Sequence, residues 1–452
     1  MAGWTVVLSG GGSKGAFEVG ALWFLSRDRD FLPDGLVGAS AGALTSVMLA
    51  QAGTPTGFTE VLAAYRAGLL RVRDPHDVFA RADWLERYAG TSLGRTLDGF
   101  LEGRGRPALP LDPSLEYDPL ARDHHRRMRH AIWSEASHIL RHPMITLEFG
   151  HDLAKVPSHV MTLDPLERMF TGQVNGPLPV VDEAAVAASG RTLRMVVTTL
   201  GSGDALVVDE HGLFRHEYDD SLVEHLPRIG PIQGALASAS IPMVFPPRPV
   251  GDEALIDGGV LRNLPIEAAV RAGAQDIIAI LATPLSETAT LEGLNSPGMA
   301  QMQLKVLTAT MRDGQLRSLR SPRAEDSVLK VIEPSVDVIG PLEVDPELVG
   351  IDMDYGWMRA AEVMLGDPDR MLLSRAASDR ITVARERCFY LERMNDSLTP
   401  GRRGRSEREA VVAAHARAVD AIKENSDNWA DEGLPLPPGF ESWGMRPTAF
   451  AG

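Results

Sequence analysis

The chain has 452 residues, 44% of them apolar and 23% charged, with a formal net charge of −16. That acidity argues against nucleic acid as the main partner, because phosphate backbones need a basic footprint, and it gives no bulk attraction to anionic membranes. A single cysteine, Cys388, excludes intrachain disulfides and a cysteine-rich zinc site.

In chain order, Thr5–Leu8 is short, β-branched and apolar and predicts a buried strand, and Ala16–Ser26 predicts a helix. Between them lies a glycine cluster, Gly10 to Gly15. After a Pro33-Asp34-Gly35 turn, Leu36-Val37 predicts a second strand, which enters Gly38-Ala39-Ser40-Ala41-Gly42 and a helix over Ala41–Gln51. Strand, turn and helix twice in succession is the rhythm of a parallel α/β sheet. Residues 71–190 alternate amphipathic pieces, prolines and loops, and read as a lid or a plain surface insertion. They include a basic run with Arg122, His124, His125, Arg126, Arg127, Arg129 and His130. That run suits either anionic headgroups or a solvated helix face.

Strands resume at Thr192–Leu200 and Ala205–Glu210, followed by a helix over Pro231–Ser240. A strand ending on Asp257 comes next, then a helix opened by Asn263 and Pro265, and a strand reaching Ile280. A helix near 300–320 and a strand over Ser327–Pro334 complete this part. Beyond about Gly366 the strands stop. Arg370–Met394 and Glu407–Lys423 read as helices, with a candidate boundary in the linker at 395–406 and a proline-rich, extended tail. No basic leader precedes Val6–Leu8, and no run approaches about 18 uninterrupted apolar residues. The expectation is a soluble, cytoplasmic protein with no transmembrane segment. Peripheral membrane contact, non-classical secretion and the oligomeric state stay open.

Three motifs carry chemistry. Gly10, Gly12 and Gly15 match G-x-G-x-x-G between a strand and a helix. A P-loop is excluded, since Ala16 stands where a lysine should follow the last glycine. A dinucleotide site wants an acidic residue after the second strand, and Asp34 precedes it. A dinucleotide cradle, a bare turn and a cradle for a transient anion all remain open on spacing alone. Gly38 to Gly42 match G-x-S-x-G, in which small neighbours allow a sharp turn that exposes the Ser40 hydroxyl. The competing reading is a small-residue turn. A nucleophile needs a base, and the only histidine beyond Asp257 is His415, in an alanine-rich helix, which reads as a satisfied surface residue. A desolvated carboxylate can serve instead. Asp257, at the C-terminal end of a strand and followed by Gly258 and Gly259, is the candidate, against the background of a common Asp-Gly turn.

In combination the motifs resemble the patatin-like phospholipases, serine acyl hydrolases that carry GGGxRG or GGGxKG, then GxSxG, then DGG or DGA. Here these are "GGGSKG" at Gly10–Gly15, "GASAG" at Gly38–Gly42 and "DGG" at Asp257–Gly259, with "ASASIPMVFPP" and "DGGVLRNLPIEAA" alongside. The resemblance extends, with a loose middle, to about Ile351–Met364. It implies a three-layer α/β/α fold with a mainly parallel sheet over 1–366 and leaves 367–452 as a helical extension. It further implies a lipid or other acyl-ester substrate, no metal and no organic cofactor. Ser40 would be the nucleophile, flanked by the elbow residues Gly38, Ala39, Ala41 and Gly42, and Asp257 the base, supported by Gly258, Gly259 and Asn263. Loop amides from Gly10 to Gly15, chiefly Gly11 and Gly12, would form the oxyanion hole, with Lys14 where the family often has arginine. A non-lipid esterase, thioesterase or acyltransferase on the same pair is the alternative. Outside that class stand a dinucleotide-binding protein and a catalytically silent scaffold that works through its C-terminal helices.

Overall fold

Two short apolar runs form adjacent strands, β1 (Trp4–Leu8) and β2 (Gly35–Ala39), each followed by a helix: α1 (Gly15–Leu25) and α2 (Ala41–Ala50). The computed structural model describes residues 3–28, 30–88, 90–91, 118–120, 159–285, 299–321, 327–398 and 402–440. The basic run at 121–130 and most of the expected lid therefore lie outside the described residues. By its contacts the chain forms two compact units, Met1–Ala82 with Ser158–Val363, and Asp83–Pro157 with Met364–Gly452.

The first unit contains a third helix, α3 (Pro55–Leu69), started by Thr54, whose hydroxyl accepts the Gly57 amide at 3.1 Å. A two-stranded ribbon, β3 (Ala80–Arg81) with β4 (Met161–Thr162), precedes the remaining strands. These are β5 (Thr192–Thr199), β6 (Ala205–Asp209), β7 (Phe214–His216), β8 (Arg248–Val250), β9 (Glu253–Asp257), β10 (Asp276–Ile280) and β11 (Leu329–Ile332). The main sheet has the order β11-β10-β1-β2-β5-β6-β7. From β11 to β5 all neighbours are parallel, whereas β6 and β9 both run antiparallel to β5.

Alternating side chains bury both faces. Val7, Val37, Val196, Val207 and Ile277 form one core with Leu264 and Ile266 beside the helix Ile266–Arg271. On the opposite face, Gly234 of the helix Pro231–Ser238 packs against Met195 and Val208. Helices thus cover both faces of a mostly parallel sheet. α1 is buried nearly all round, as a helix apolar on every side must be. Phe17 meets Tyr355 edge-on at 5.4 Å and Phe24 meets Trp357 at 5.3 Å, both partners lying on the helix Pro346–Leu365. Asp352 of that helix accepts the Phe17 amide at 3.0 Å, in the first turn of α1.

In the second unit the expected helices are longer than the sequence reading, Met371–Ser397 and Arg402–Asp431. The candidate boundary near 395–406 falls between two helices of one unit, and residues 399–401 lie outside the described residues. Leu391, Val411 and Ala414 form a core with Leu120, and Arg387 pairs with Asp118 at 2.9 Å. His415 is buried rather than at the surface, its ring bonded to Glu392 at 2.9 Å. Cys388 is buried as well. Arg385 lies 5.1 Å from the ring of Phe440, within the proline-rich tail. Among the described residues no helix is long and apolar enough to cross a membrane.

Candidate active site

The sheet register brings Ser40 to Asp257. On one edge of β5, β2 pairs up to Ala39 opposite Val196, and β9 takes over with Asp257 opposite Val197. Two strand ends therefore abut, one running parallel to β5 and one antiparallel, and the residue that leaves β2 faces the last residue of β9. The Ser40 hydroxyl donates to Asp257 Oδ2 at 2.6 Å, a length typical of a charge-assisted O–H···O bond.

Ser40 has φ 53° and ψ −124°, a conformation that side chains other than glycine's rarely adopt. Such strain persists only where the surroundings over-determine it. Here the Ser40 amide donates to Ser238 Oγ at 3.0 Å, and Ser238 Oγ donates to the Val196 carbonyl at 2.5 Å. Gly42 lets α2 begin against β1, since a Cβ there would stand 2.6 Å from the Leu8 and Ser9 carbonyls.

Asp257 is fully buried. Its amide donates to Ser240 O at 2.9 Å, and its Oδ1 accepts the Gly259 amide at 2.7 Å. Burial pushes its carboxyl up to about 7, against the opposing pull of hydrogen bonds from Ser40 and Gly259. A carboxyl so poised can take and return a proton near neutral pH.

The glycine loop lies directly over the serine: a Cβ on Gly10 would be 3.0 Å from Ser40 Cβ. The Gly10 amide donates to Asn263 O at 3.0 Å, and Asn263 Nδ2 donates to Gly10 O at 3.3 Å. Asn263 closes the short helix Gly259–Arg262 and does not cap the next helix, which starts from Pro265 without a side-chain cap. Its side chain holds the loop instead. The Ser13 amide donates to Pro341 O at 2.8 Å and the Lys14 amide to Gly11 O at 3.3 Å. Gly12 adopts φ +60°, and a Cβ there would fall 2.0 Å from Pro341 O. Among the described residues, the amides of Gly11 and Gly12 donate no hydrogen bond. Lys14 does not face the serine as a free cation: its ammonium pairs with Asp337 at 2.6 Å, so it ties the loop to a distant segment.

One supporting residue escaped the sequence reading. Glu18, on α1, is fully buried and accepts the Ser9 amide at 2.7 Å and the Ser9 hydroxyl at 3.3 Å, at the root of the loop. Burial holds its carboxyl well above the ordinary glutamate range, Ser9 opposing and nearby Asp352 adding to the shift. The signal was a single charged residue within the apolar stretch Ala16–Leu25.

A cavity of about 130 Å³ opens beside Ser40. Its walls include Ala16 and Val19 of α1, Leu44 and Thr45 of α2, and Tyr65 and Leu69 of α3, and Glu343 is the one charged lining residue among those described. The dinucleotide reading finds no acid where it needs one, because β2 passes from Ala39 to Ser40 and Asp34 precedes the strand. Among the described residues no group of three or more His, Cys, Asp or Glu is arranged to hold a metal ion.

The sequence matches the Patatin family, described as patatin-like phospholipase, over residues 6–270. That is more than half of the chain and includes all three motifs. The chain belongs to the patatin-like phospholipase family. Membership makes it a lipid hydrolase at family level. No match was found among curated proteins. Among solved structures, VipD from Legionella pneumophila is 15% identical, with 95% of this chain and 85% of that one covered and a TM-score of 0.34. The ExoU–SpcU complex from the type III secretion system of Pseudomonas aeruginosa is 17% identical, with 93% and 71% covered and a TM-score of 0.20. Human GIVD cytosolic phospholipase A2 is 12% identical, with 94% and 60% covered and a TM-score of 0.30.

Proposed function

We propose that this patatin-like protein cleaves acyl esters of lipids with Ser40 as nucleophile and Asp257 as its base. The observation that carries this reading is the 2.6 Å hydrogen bond from the Ser40 hydroxyl to the buried Asp257 carboxylate, at the edge of an apolar cavity.

Ser40 Oγ attacks the ester carbonyl carbon while its proton passes to Asp257 Oδ2. The carbonyl oxygen becomes an oxyanion and meets the open amides of Gly11 and Gly12, each donor being worth roughly 2.7–4 kcal/mol in related acyl transfers. The tetrahedral species collapses, the carbon–oxygen bond to the alcohol breaks, and Asp257 returns the proton to the departing oxygen. A water then gives its proton to Asp257 and attacks the acyl-serine. The second collapse releases the fatty acid, and Ser40 recovers the proton.

The test is turnover of a short nitrophenyl ester and of a phospholipid by Ser40→Ala and Asp257→Asn, together with mapping of the residue labelled by a fluorophosphonate. Loss of turnover in both variants and a label on Ser40 are expected. Wild-type turnover in both would overturn the assignment.

A further inference from the structure

We infer that the cavity beside Ser40 selects acyl chains that carry an oxygen function, a hydroxyl or a ketone, through the side-chain hydroxyls of Thr45 and Tyr65. The inference rests on the reading of Ser40 as nucleophile and adds the chemical class of acyl chain that the site prefers.

Most of the cavity wall is apolar, with Leu44, Leu69, Phe170, Leu178 and Phe245 among its lining residues. Ser13 of the glycine loop and Glu343 also line it, and Glu343 accepts the Gly340 amide at 2.9 Å. Among the described residues, the other polar side chains in the wall besides Ser40 are Thr45 of α2 and Tyr65 of α3. Thr45 lies one helical turn beyond Ala41 and Tyr65 one turn before Leu69, and both of those neighbours line the cavity. The two hydroxyls thus stand within an apolar wall.

Both residues are buried, Thr45 being 2% and Tyr65 6% exposed. Their hydroxyls are not engaged as those of comparable residues are. Thr59, Thr171 and Thr382 each donate to the carbonyl four residues back, and the buried Tyr355 hydroxyl accepts the Ser335 amide at 2.8 Å. Among the described residues, the Thr45 and Tyr65 hydroxyls have no partner in such geometry. They are neighbours all the same. Burial pushes the Tyr65 phenol up to about 12, with Thr45 opposing the shift and Glu18 adding to it. The phenol therefore keeps its proton at neutral pH and can donate it.

A hydroxyl shut away from water without a hydrogen bond is unfavourable. A plain hydrocarbon chain lying along this wall covers both hydroxyls and gives them nothing to bond, whereas a chain with an oxygen at their height accepts from them. Pairing of this kind discriminates more sharply than one methylene more or less. Thr45 is five residues beyond Ser40, roughly 7.5 Å of helix rise, so the oxygen recognised lies along the chain and away from the ester.

The experiment measures kcat/KM for nitrophenyl esters of decanoate and of decanoates bearing a ketone at carbon four, six or eight, all presented in the same mixed micelles. In wild type at least one keto ester should exceed decanoate by about tenfold. Tyr65→Phe and Thr45→Val remove a hydroxyl and keep the shape of the wall. Each should raise kcat/KM for decanoate by about threefold and lower it for the preferred keto ester, so that their ratio approaches one. Circular dichroism establishes that each variant is folded, and if one is not, the other tests the same pair. No keto ester preferred in wild type, or a preference that neither hydroxyl deletion lowers, overturns the inference while leaving the nucleophile intact. No cleavage of any ester, with no fluorophosphonate label on Ser40, overturns the underlying reading instead.

Discussion

Ser40 and Asp257 owe their positions to the sheet, whereas the glycine loop above them is held by groups that reach it from distant parts of the chain. The first pair meets because β2 and β9 end on adjacent positions of β5. The loop is tied at Ser9 by Glu18, at Gly10 by Asn263, at Ser13 by Pro341 and at Lys14 by Asp337. A pair set by backbone register tolerates changes around it, because many ladder hydrogen bonds share the constraint. A loop held by single side chains and the carbonyls of Asn263 and Pro341 loses geometry one contact at a time. Both regions bury a carboxyl, but only Asp257 faces the serine.

The largest effect expected is in the sheet-held pair. Asp257→Asn keeps the shape and removes the base, so turnover of a short ester should fall on the order of 10³–10⁴-fold. Circular dichroism and melting should show a folded protein no less stable than wild type. A loss of less than tenfold would break the comparison at its strongest point.

Gly12→Ala should come next. Its Cβ would stand 2.0 Å from Pro341 O at φ +60°, so the loop must shift. The loss of one aligned donor should cost about 10²-fold in kcat, with the pH profile unchanged because Asp257 is untouched. Lys14→Met should have a smaller effect, about fivefold in kcat, because it frees one tether of several. Adding Asp337→Leu should recover part of that loss by removing the carboxylate that paired with Lys14.

The smallest effect, but the most specific, concerns pH. Asp257 is held up to about 7, above the ordinary aspartate value of about 3.9. Between these values the folded protein binds more protons than the unfolded chain. Stability should therefore decline as pH rises from about 4 to about 7, and this contribution should be flat above that. kcat/KM should rise over the upper part of the same window as Asp257 becomes the free base. Asp257→Asn should flatten the stability profile. Glu18, also raised, contributes a decline of the same sign, so Glu18→Gln should gain melting temperature relative to wild type as pH rises. Glu18→Ala should lose it at every pH by emptying a fully buried site and removing the bonds that Ser9 makes to the carboxyl.

Much of the fold was legible because strands and helices announce themselves locally. The apolar runs at β1, β5 and β10 read directly, and β2 read short because glycines at Gly35 and Gly38 weaken a strand signal. Two long helices were missed although their starts are written in the sequence. Thr54-Pro55 opens α3 and Asp345-Pro346 opens the helix Pro346–Leu365, each a capping residue before a proline. The direction of β6 and β9 could not be read, since a strand of either sense has the same pattern of side chains.

The sequence alone sets the sharp turn at Ser40, the strand that ends on Asp257 and the glycines that let the loop approach, because each depends on residue types only a few positions apart. It also determined that α1 would be buried, through an apolar run with one carboxyl in it. That Lys14 pairs with Asp337 and that Asn263 grips Gly10 was settled by packing between elements. Those partners lie on separate elements, and no local pattern specifies which side chains meet when the elements pack.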